Sequence, residues 1–309
     1  MKSMRESFGE ALLEIGATNE NVIVLDADLS RSTGTWRFAE SCPSRFINVG
    51  ISEQDLMGTA AGLALSGKIP IVSTYAIFGT GRAWEQIRNT VCLANLNVKI
   101  VLTHAGVTNF GDGATHQSFE DIALMRVIPN MKVVVPCDAI EAKKAIMAAV
   151  TCEGPVYIRL GRDPTPIIHE EDYRFTIGKS VILRDGSDAT IAASGIMVWE
   201  ALRASEILKR DGISVQVVDV PTIKPLDILT ILHSAKKTGA MVTLEDHNIH
   251  GGLGSAVAEV IVRNYPIPME FVGIEDRFGE SGSLLALKFM LGLSIPRIVK
   301  AVKKVLSRK

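Results

Sequence analysis

Short runs of β-branched and other apolar residues alternate along the chain with longer segments of helical periodicity. In the first half, apolar runs at residues 22–26, 69–73, 98–103, 132–136 and 156–160 predict buried strands. The segments at 54–66, 82–95, 119–126 and 139–150 predict helices, and Asp138 is the expected N-cap of the last one. Strands and helices in this alternation are typical of right-handed βαβ units that build a mostly parallel sheet.

The alternation stops between residues 162 and 186 and then resumes. Asp163-Pro-Thr-Pro166 breaks regular structure, and a polar, acidic stretch follows it. Further strands are predicted at 189–193, 215–220, 241–245 and 270–273, with helices at 196–210, 226–234, 254–263 and 295–306. We therefore predict an α/β fold of two domains, 1–175 and 183–309, each a mostly parallel sheet flanked by helices. A chain of 309 residues is long enough for two such cores.

Composition and charge narrow the class of protein. The 33 Lys and Arg against 34 Asp and Glu give a net charge of -1, which argues against a nucleic-acid-binding protein. No apolar run approaches the ~18 residues of a membrane span, and no secretory signal is visible at the N-terminus. We expect a cytoplasmic protein without nucleic-acid or membrane partners.

The four cysteines form neither a zinc pattern nor a C-x-x-C pair. They are Cys42, Cys92, Cys137 and Cys152. A disulfide scaffold is therefore not expected, and a reducing compartment fits better. The favoured interpretation of all four is a small, buried, apolar side chain.

Polar residues that follow the predicted strands are the candidates for chemistry, because ligands gather beyond the carboxyl ends of parallel strands. They include Asp28, Ser32, Glu53, Tyr75, Phe78, Arg82, His104, Asp112, His116 and Arg162. Each also has a structural explanation. A carboxylate at a helix start, as at Glu53, is favoured by the helix dipole, and a lone histidine is more often structural than catalytic.

Two further segments are ambiguous. Gly251-Gly-Leu-Gly254 is similar to a phosphate-binding turn, but it lacks the dinucleotide spacing and the P-loop lysine, so close strand–helix packing is favoured. His247 and His250 lack a third metal ligand placed by the sequence. Gly111-Asp112-Gly113 is similar to the start of a magnesium–diphosphate motif, but no Asn-Asn pair follows it, so we expect no metal ligands of that kind on this chain.

Taken together, these segments resemble the transketolase family, and more narrowly its pyrimidine-binding domain followed by its C-terminal domain. The resemblance covers essentially the whole chain and rests on Asp28-Leu-Ser-Arg-Ser32, Asn48-Val-Gly-Ile-Ser-Glu53-Gln54, Thr103-His104 and Asp112-Gly-Ala-Thr-His116-Gln117. It implies a ketol transfer from a ketose to an aldose, of the kind found in pentose phosphate metabolism, that depends on thiamine diphosphate.

The resemblance also implies roles for individual residues. Glu53 matches the glutamate that bonds the aminopyrimidine ring, Phe78 matches the aromatic residue stacked on that ring, Tyr75 lies nearby, and Asp28 lies near the thiazolium. His104, Asp112 and His116 match residues that contact sugar hydroxyls and assist proton transfer. Arg5, Ser32 and Arg162 match groups that hold a sugar phosphate. His247 and residues 251–254 match a feature of the C-terminal domain with no clear chemical role.

The chemistry accounts for these residue types. A carboxyl on the pyrimidine nitrogen favours the tautomer that can take the thiazolium C2 proton, and an apolar surround helps to keep that carboxyl neutral. Leu56, Met57, Ala60 and Ala61 follow Glu53 and provide such a surround. A histidine can accept the proton of a sugar hydroxyl, and arginine favours bidentate phosphate recognition.

The family's diphosphate-binding domain does not match any part of this chain. The resemblance therefore implies a partner, an N-terminal transketolase subunit that carries the Mg²⁺ and diphosphate site, in a heterotetramer that is a dimer of heterodimers. Alternatives are a 1-deoxyxylulose-5-phosphate synthase-like enzyme and the beta subunit of a 2-oxoacid dehydrogenase first component. A non-catalytic binding or regulatory subunit would not need Glu53, His104 and His116 together.

Overall fold

Fourteen strands form three sheets in the computed structural model, which describes all 309 residues. The strands are β1 (Lys2–Ser3), β2 (Val22–Asp26), β3 (Phe46–Asn48), β4 (Ile69–Ser73), β5 (Lys99–Leu102), β6 (Lys132–Val134), β7 (Val156–Arg159), β8 (Pro164–Thr165), β9 (Val181–Arg184), β10 (Ala189–Ala193), β11 (Val215–Asp219), β12 (Thr222–Lys224), β13 (Met241–Asn248) and β14 (Met269–Ile274). All nine strands predicted from the sequence are among them.

Helices cover the two larger sheets. They are α1 (Met4–Thr18), α2 (Ser30–Thr33), α3 (Trp36–Ser41), α4 (Glu53–Leu65), α5 (Ala76–Arg82), α6 (Asp121–Arg126), α7 (Ala139–Thr151), α8 (Met197–Arg210), α9 (Ile228–Thr238), α10 (Leu253–Asn264), α11 (Leu284–Met290) and α12 (Ile295–Leu306). Short 3₁₀ helices span Pro43–Arg45 and Gly106–Thr108, and a π-helix spans Gln86–Cys92. None of the twelve α-helices combines the length and the apolar character that crossing a bilayer requires.

The predicted α/β architecture is confirmed. The seven-stranded sheet has the order β12-β6-β7-β5-β4-β2-β3 and is parallel except for β12. The five-stranded sheet has the order β14-β13-β10-β11-β9 and is parallel except for β9. The inner strands are almost entirely buried, as expected of parallel sheets with helices on both faces.

The two sheets are joined by more than the connecting segment. Strand β12 comes from the second half of the chain but pairs with β6 of the first sheet. Arg159 on β7 is buried, and its guanidinium contacts Asp121 Oδ2 at 2.8 Å and Asp246 Oδ1 on β13 at 2.7 Å. Separating this buried arginine from its two carboxylates is costly, because each charge would be left unpaired. The domain limits at 175 and 183 remain predictions.

Local structure departs from the sequence-based prediction in two places that matter for the site. Helix α1 was not predicted, although Met4, Phe8 and Leu12 repeat at helical spacing and are buried. The helix predicted at 82–95 is in fact two elements, because α5 begins at Ala76 and the π-helix follows it. Helix α5 therefore carries both Phe78 and Arg82.

Cap and cysteine predictions can also be compared with the structure. Asp138 caps α7 as predicted, since its side chain accepts a hydrogen bond from Glu141 N at 2.8 Å. All four cysteines are free. Cys92 and Cys137 are fully buried, whereas Cys42 and Cys152 are partly exposed, so the prediction of a buried side chain is wrong for those two. Cys137 Sγ lies 3.4 Å from Asp219 Oδ2.

Candidate functional site

The carboxyl ends of β2, β4 and β5 bring the first-domain candidates to one edge of the seven-stranded sheet. A cavity of about 320 Å³ opens there, and Glu53, Phe78 and His116 all line it. Its lining residues are Ala27, Asp28, Leu29, Ile51, Glu53, Phe78, Arg82, Thr115 and His116. Four residues predicted for the site, from four separate segments, therefore share one concave surface.

Glu53 is the first residue of α4, and only 5% of it is exposed. Leu56, Met57, Ala60 and Ala61 on the same helix are also buried, which agrees with the predicted apolar surround. The carboxylate has one charged partner, Arg82, whose Nη1 donates to Glu53 Oε1 at 3.0 Å. Because the Arg82 side chain is half exposed, a ligand can displace it from the buried Glu53 carboxyl at little cost.

Arg82 is among the polar candidates that follow the predicted strands, but the family resemblance implied no role for it. Its guanidinium lies 4.4 Å from the centroid of the Phe78 ring, in a cation–π contact. Phe78 and Arg82 are four residues apart on α5 and therefore share a helix face. Predicting helix α5 from the sequence would have been enough to place Arg82 beside Phe78.

Aromatic rings connect the two predicted histidines to Phe78. Tyr75 stacks on Phe78 with centroids 5.8 Å apart and on His104 at 3.9 Å. His116 packs edge-on against Phe78 at 5.1 Å and against Tyr75 at 6.4 Å. The four rings form one continuous cluster, although 41 positions of sequence separate Tyr75 from His116.

His104 is held as a neutral, buried ring. Burial, reinforced by the nearby positive charges of Arg5 and Arg162 and by His116, lowers its pKa to about 3. Its Nδ1 lies 2.8 Å from Thr103 Oγ, and its backbone has a φ of 60°. The ring is uncharged at any pH near neutrality, so one ring nitrogen is free to accept a hydrogen bond.

The predicted phosphate residues converge because the N-terminus pairs with the segment after β7. Strand β1 is antiparallel to β8, and Ser3 Oγ donates to the Arg162 carbonyl oxygen at 3.1 Å. Arg5 Nη1 donates to the Ser32 carbonyl oxygen at 3.1 Å. Arg5, Ser32 and Arg162 are thereby brought together, and both guanidinium groups lie close enough to His104 to lower its pKa.

The remaining first-domain candidates have different surroundings. Asp28 lines the cavity with a φ of 63°, and Asn48 holds it: its amide Nδ2 donates to Asp28 Oδ1 at 3.1 Å, and its Oδ1 accepts from Asp28 N at 3.1 Å. Asp112 is exposed and pairs with no cationic side chain. The structure therefore joins Asp28 to the cavity and leaves Asp112 in solvent.

The second-domain candidates serve the packing of the fold. Both amides at the start of α10, Leu253 N and Gly254 N, donate to the Glu245 carboxylate at 2.7 and 2.8 Å. A side chain at Gly252 would overlap Glu245. The interpretation of 251–254 as a close strand–helix contact agrees with this geometry, because an internal carboxylate already fills the place of an anion.

The contacts of His247 also stabilise the fold. It is completely buried, its Nδ1 donates to the Asn248 carbonyl oxygen at 2.7 Å, and its Nε2 accepts from Ala123 N at 3.4 Å. Burial lowers its pKa to about 4, so the ring is neutral. His250 is exposed and does not join it in a cluster.

Family models match both halves of the chain. The model described as the transketolase pyrimidine binding domain matches residues 1–166, and the transketolase C-terminal domain matches residues 178–298. Among curated relatives, the putative transketolase C-terminal section of Methanocaldococcus jannaschii is 50% identical over 100% of this chain and 98% of that protein. The 6-deoxy-6-sulfo-D-fructose transketolase subunit SqwH of a Clostridium strain is 43% identical over 99% of this chain and 95% of its own length.

A solved structure has the same fold over its full length. It is described as a split gene transketolase, inactive beta4 tetramer, and it superposes with a TM-score of 0.94 at 50% identity, covering 100% of both chains.

Proposed function

Because this chain belongs to the transketolase family, we propose that it is the C-terminal subunit of a two-chain transketolase that transfers a two-carbon ketol unit from a ketose to an aldose. Thiamine diphosphate, the cofactor that the family implies, supplies the carbonyl chemistry when bound. The observation that supports this proposal most strongly is the cavity shared by Glu53, Phe78 and His116.

The residues present fit the aminopyrimidine end of that cofactor. A planar, nitrogen-rich ring needs an aromatic face to stack on and a carboxyl to bond. Phe78 and Glu53 offer both, and a planar nitrogen group, the Arg82 guanidinium, already lies against the two of them. The cavity is therefore built for a flat, nitrogen-bearing group.

Glu53 is the residue that exchanges a proton with the cofactor ring. Its buried position at the start of α4 fixes the carboxyl, and buried apolar residues follow it on the same helix. Phe78 sets the ring plane, and Tyr75 stacks on Phe78. Asp28 closes the cavity on the side of β2.

His104 and His116 act on the sugar. His104 is neutral, so its free ring nitrogen can accept the hydrogen bond of a sugar hydroxyl that gives up its proton as the carbon–carbon bond opens, while His116 lies at the cavity edge, in contact with Phe78. Arg5 and Arg162 form a cationic end near His104, which suits a phosphorylated sugar. Asp112, exposed in the isolated chain, contacts a sugar hydroxyl only in the assembled enzyme.

The partner is an N-terminal transketolase subunit that holds the diphosphate and Mg²⁺. The match to two transketolase domains supports it, as do the words "section", "subunit" and "split gene" in the descriptions of three proteins similar to this chain over their full lengths. We propose a dimer of heterodimers in the cytoplasm, with each active site formed between subunits.

The test is a ketol-transfer assay with this chain alone, the partner alone and the two mixed, with thiamine diphosphate and Mg²⁺. Donors are offered with and without a terminal phosphate, and a sulfonated sugar is included because the Clostridium relative is named for one. Transfer is expected only from the mixture, with phosphorylated donors preferred. Full cofactor-dependent transfer by this chain alone would contradict the two-chain proposal.

Replacing Arg82 with methionine is expected to tighten cofactor binding to the assembled enzyme. The ring must displace the guanidinium from Glu53 and Phe78, and methionine removes both contacts while keeping an apolar stem. A partly exposed ion pair and a cation–π contact together are worth about 1–1.5 kcal/mol, so the Kd of thiamine diphosphate should fall roughly tenfold.

Isothermal titration of the cofactor into the complex measures this change. Arg88→Met is the matched control, because Arg88 is exposed on the following π-helix and its side chain hydrogen-bonds only to Asn89. A weaker affinity in Arg82→Met than in the control would mean that Arg82 helps to hold the cofactor instead of occupying its place.

A further inference from the structure

Four potential metal ligands meet in a buried position that the proposed reaction does not use. They are Cys137, Glu141, His169 and Asp219, here called the junction cluster, and they are respectively 1%, 0%, 6% and 0% exposed. Cys137 precedes α7 and Glu141 lies in its first turn, His169 lies in the segment between the sheets, and Asp219 ends β11. The cluster thus joins both sheets and their connecting segment.

The distances between ligand atoms suit one small cation. His169 Nε2 lies 2.9 Å from Asp219 Oδ2 and 3.5 Å from Glu141 Oε1, and Cys137 Sγ lies 3.4 Å from Asp219 Oδ2. All four ligand atoms lie within 4.8 Å of one another. Zinc bonds of about 2.0–2.3 Å give tetrahedral edges of about 3.3–3.8 Å, so these side chains need only spread slightly to surround an ion.

The charges in the cluster lack a compensating cation from the protein. Asp138 is buried beside Glu141 and Asp219, but its carboxylate accepts three backbone hydrogen bonds, from Glu141, Ile168 and His169. No lysine or arginine pairs with Glu141 or Asp219, and His169 is the only cationic group available. Buried carboxylates without a paired cation are costly, so a positive ion would stabilise this position.

One carboxylate oxygen is left without a partner. Asp219 Oδ1 is buried and makes no hydrogen bond, although Oδ2 of the same group is contacted by His169 and Cys137. A buried acceptor of this kind is expensive unless something satisfies it. A cation bound by the carboxylate would do so.

Neighbouring residues fix the orientation of the side chains in the junction cluster. The hydrogen-bonding groups around a metal site fix its ligands in the same way. The Tyr173 hydroxyl donates to Glu141 Oε1 at 2.8 Å, and the Tyr173 ring stacks on His169 at 3.9 Å. Cys137 N donates to Glu141 Oε2 at 2.8 Å. Fixed ligand orientations of this kind lower the cost of assembling a metal site.

We propose that the junction cluster binds one divalent transition-metal ion of the zinc class, which fastens the two sheets together. One thiolate, one imidazole and two carboxylates in a tetrahedral arrangement suit zinc better than Mg²⁺ or Ca²⁺, which prefer all-oxygen sites. Binding displaces the Cys137 thiol proton and any proton held between Glu141 and Asp219 to solvent. The ion has a structural role, separate from the Mg²⁺ of the partner.

The experiment measures metal content and needs no catalytic assay. The full chain is expressed in zinc-supplemented medium, freed of any affinity tag and analysed by plasma mass spectrometry, with about one zinc per chain expected. Cys137→Ser and His169→Gln should each lose most of the zinc. Cys92→Ser is the matched control, since Cys92 is also buried and free but lies outside the cluster.

Cobalt substitution gives an independent readout on the unmodified chain. Co²⁺ bound at the cluster should produce a thiolate-to-cobalt charge-transfer band and raise the melting temperature, and Cys42→Ser and Cys152→Ser should leave that band intact. Wild-type protein with substoichiometric zinc and no thiolate–cobalt band would overturn the proposal, and the cluster would then be a proton-sharing hydrogen-bond network. Equal zinc in wild type and Cys137→Ser would overturn it as well.

Discussion

Glu53→Gln is expected to lower ketol transfer by the assembled enzyme by about 100-fold or more, the usual loss when a positioned proton-transfer group is removed. Glutamine keeps the size of the side chain and can still hydrogen-bond, but it can neither hold nor release a proton at the cofactor ring. The helix start loses a dipole interaction of only about 0.3–1 kcal/mol, too little to unfold the domain. Steady-state rates at saturating cofactor, with circular dichroism as a folding check, measure the effect.

Asp55→Asn is the matched control for Glu53→Gln. Asp55 lies in the same first turn of α4, is exposed, and accepts a hydrogen bond only from Thr59. Both substitutions remove one negative charge from the same helix end, so a shared effect would report on the helix and not on catalysis. Near-normal turnover in Glu53→Gln would end the assignment of Glu53 to proton transfer.

His104→Asn and His116→Gln are expected to separate cofactor binding from sugar cleavage. Turnover should fall by about 100-fold or more in each, because a positioned proton acceptor is lost. Cofactor affinity should change little, since Glu53 and Phe78 remain in place. Parallel measurements of the thiamine diphosphate Kd and of kcat make the comparison.

His250→Gln is the control for the histidine variants, because His250 is exposed and lies far along the chain from the cavity residues. Wild-type behaviour is expected for it in both measurements. If His104→Asn and His116→Gln lost affinity and turnover in the same proportion, the two rings would be supports for the cofactor pocket and not groups that act on the sugar.

The interdomain contacts show what pattern-based reasoning misses. Strand β12 lies in the second half of the chain but pairs with β6 of the first sheet. It has only three residues, too few for a sequence pattern to predict which strand it pairs with. The junction cluster is likewise invisible in the sequence, since its members come from residues 137, 141, 169 and 219 and match no metal spacing. Long-range pairing of this kind depends on how whole sheets dock.

The sequence by itself determined the α/β class, the nine predicted strands and the candidates at the carboxyl edge of the first sheet. Those features follow from local periodicity and from a topological rule about parallel strands. The residues that carry the family resemblance can be recognised as a set from the sequence, because their order along the chain is a one-dimensional property.

Only the tertiary structure decided which candidates share a surface. It placed Arg82 on Glu53 and Phe78, stacked Tyr75 on His104, joined Arg5 to Ser32, and left Asp112 in solvent. It also showed that the amides of the Gly251–Gly254 turn bind the carboxylate of Glu245, a residue of the same chain. These outcomes depend on burial and on contacts between distant segments, and a sequence pattern carries no information on either until the sheets have packed.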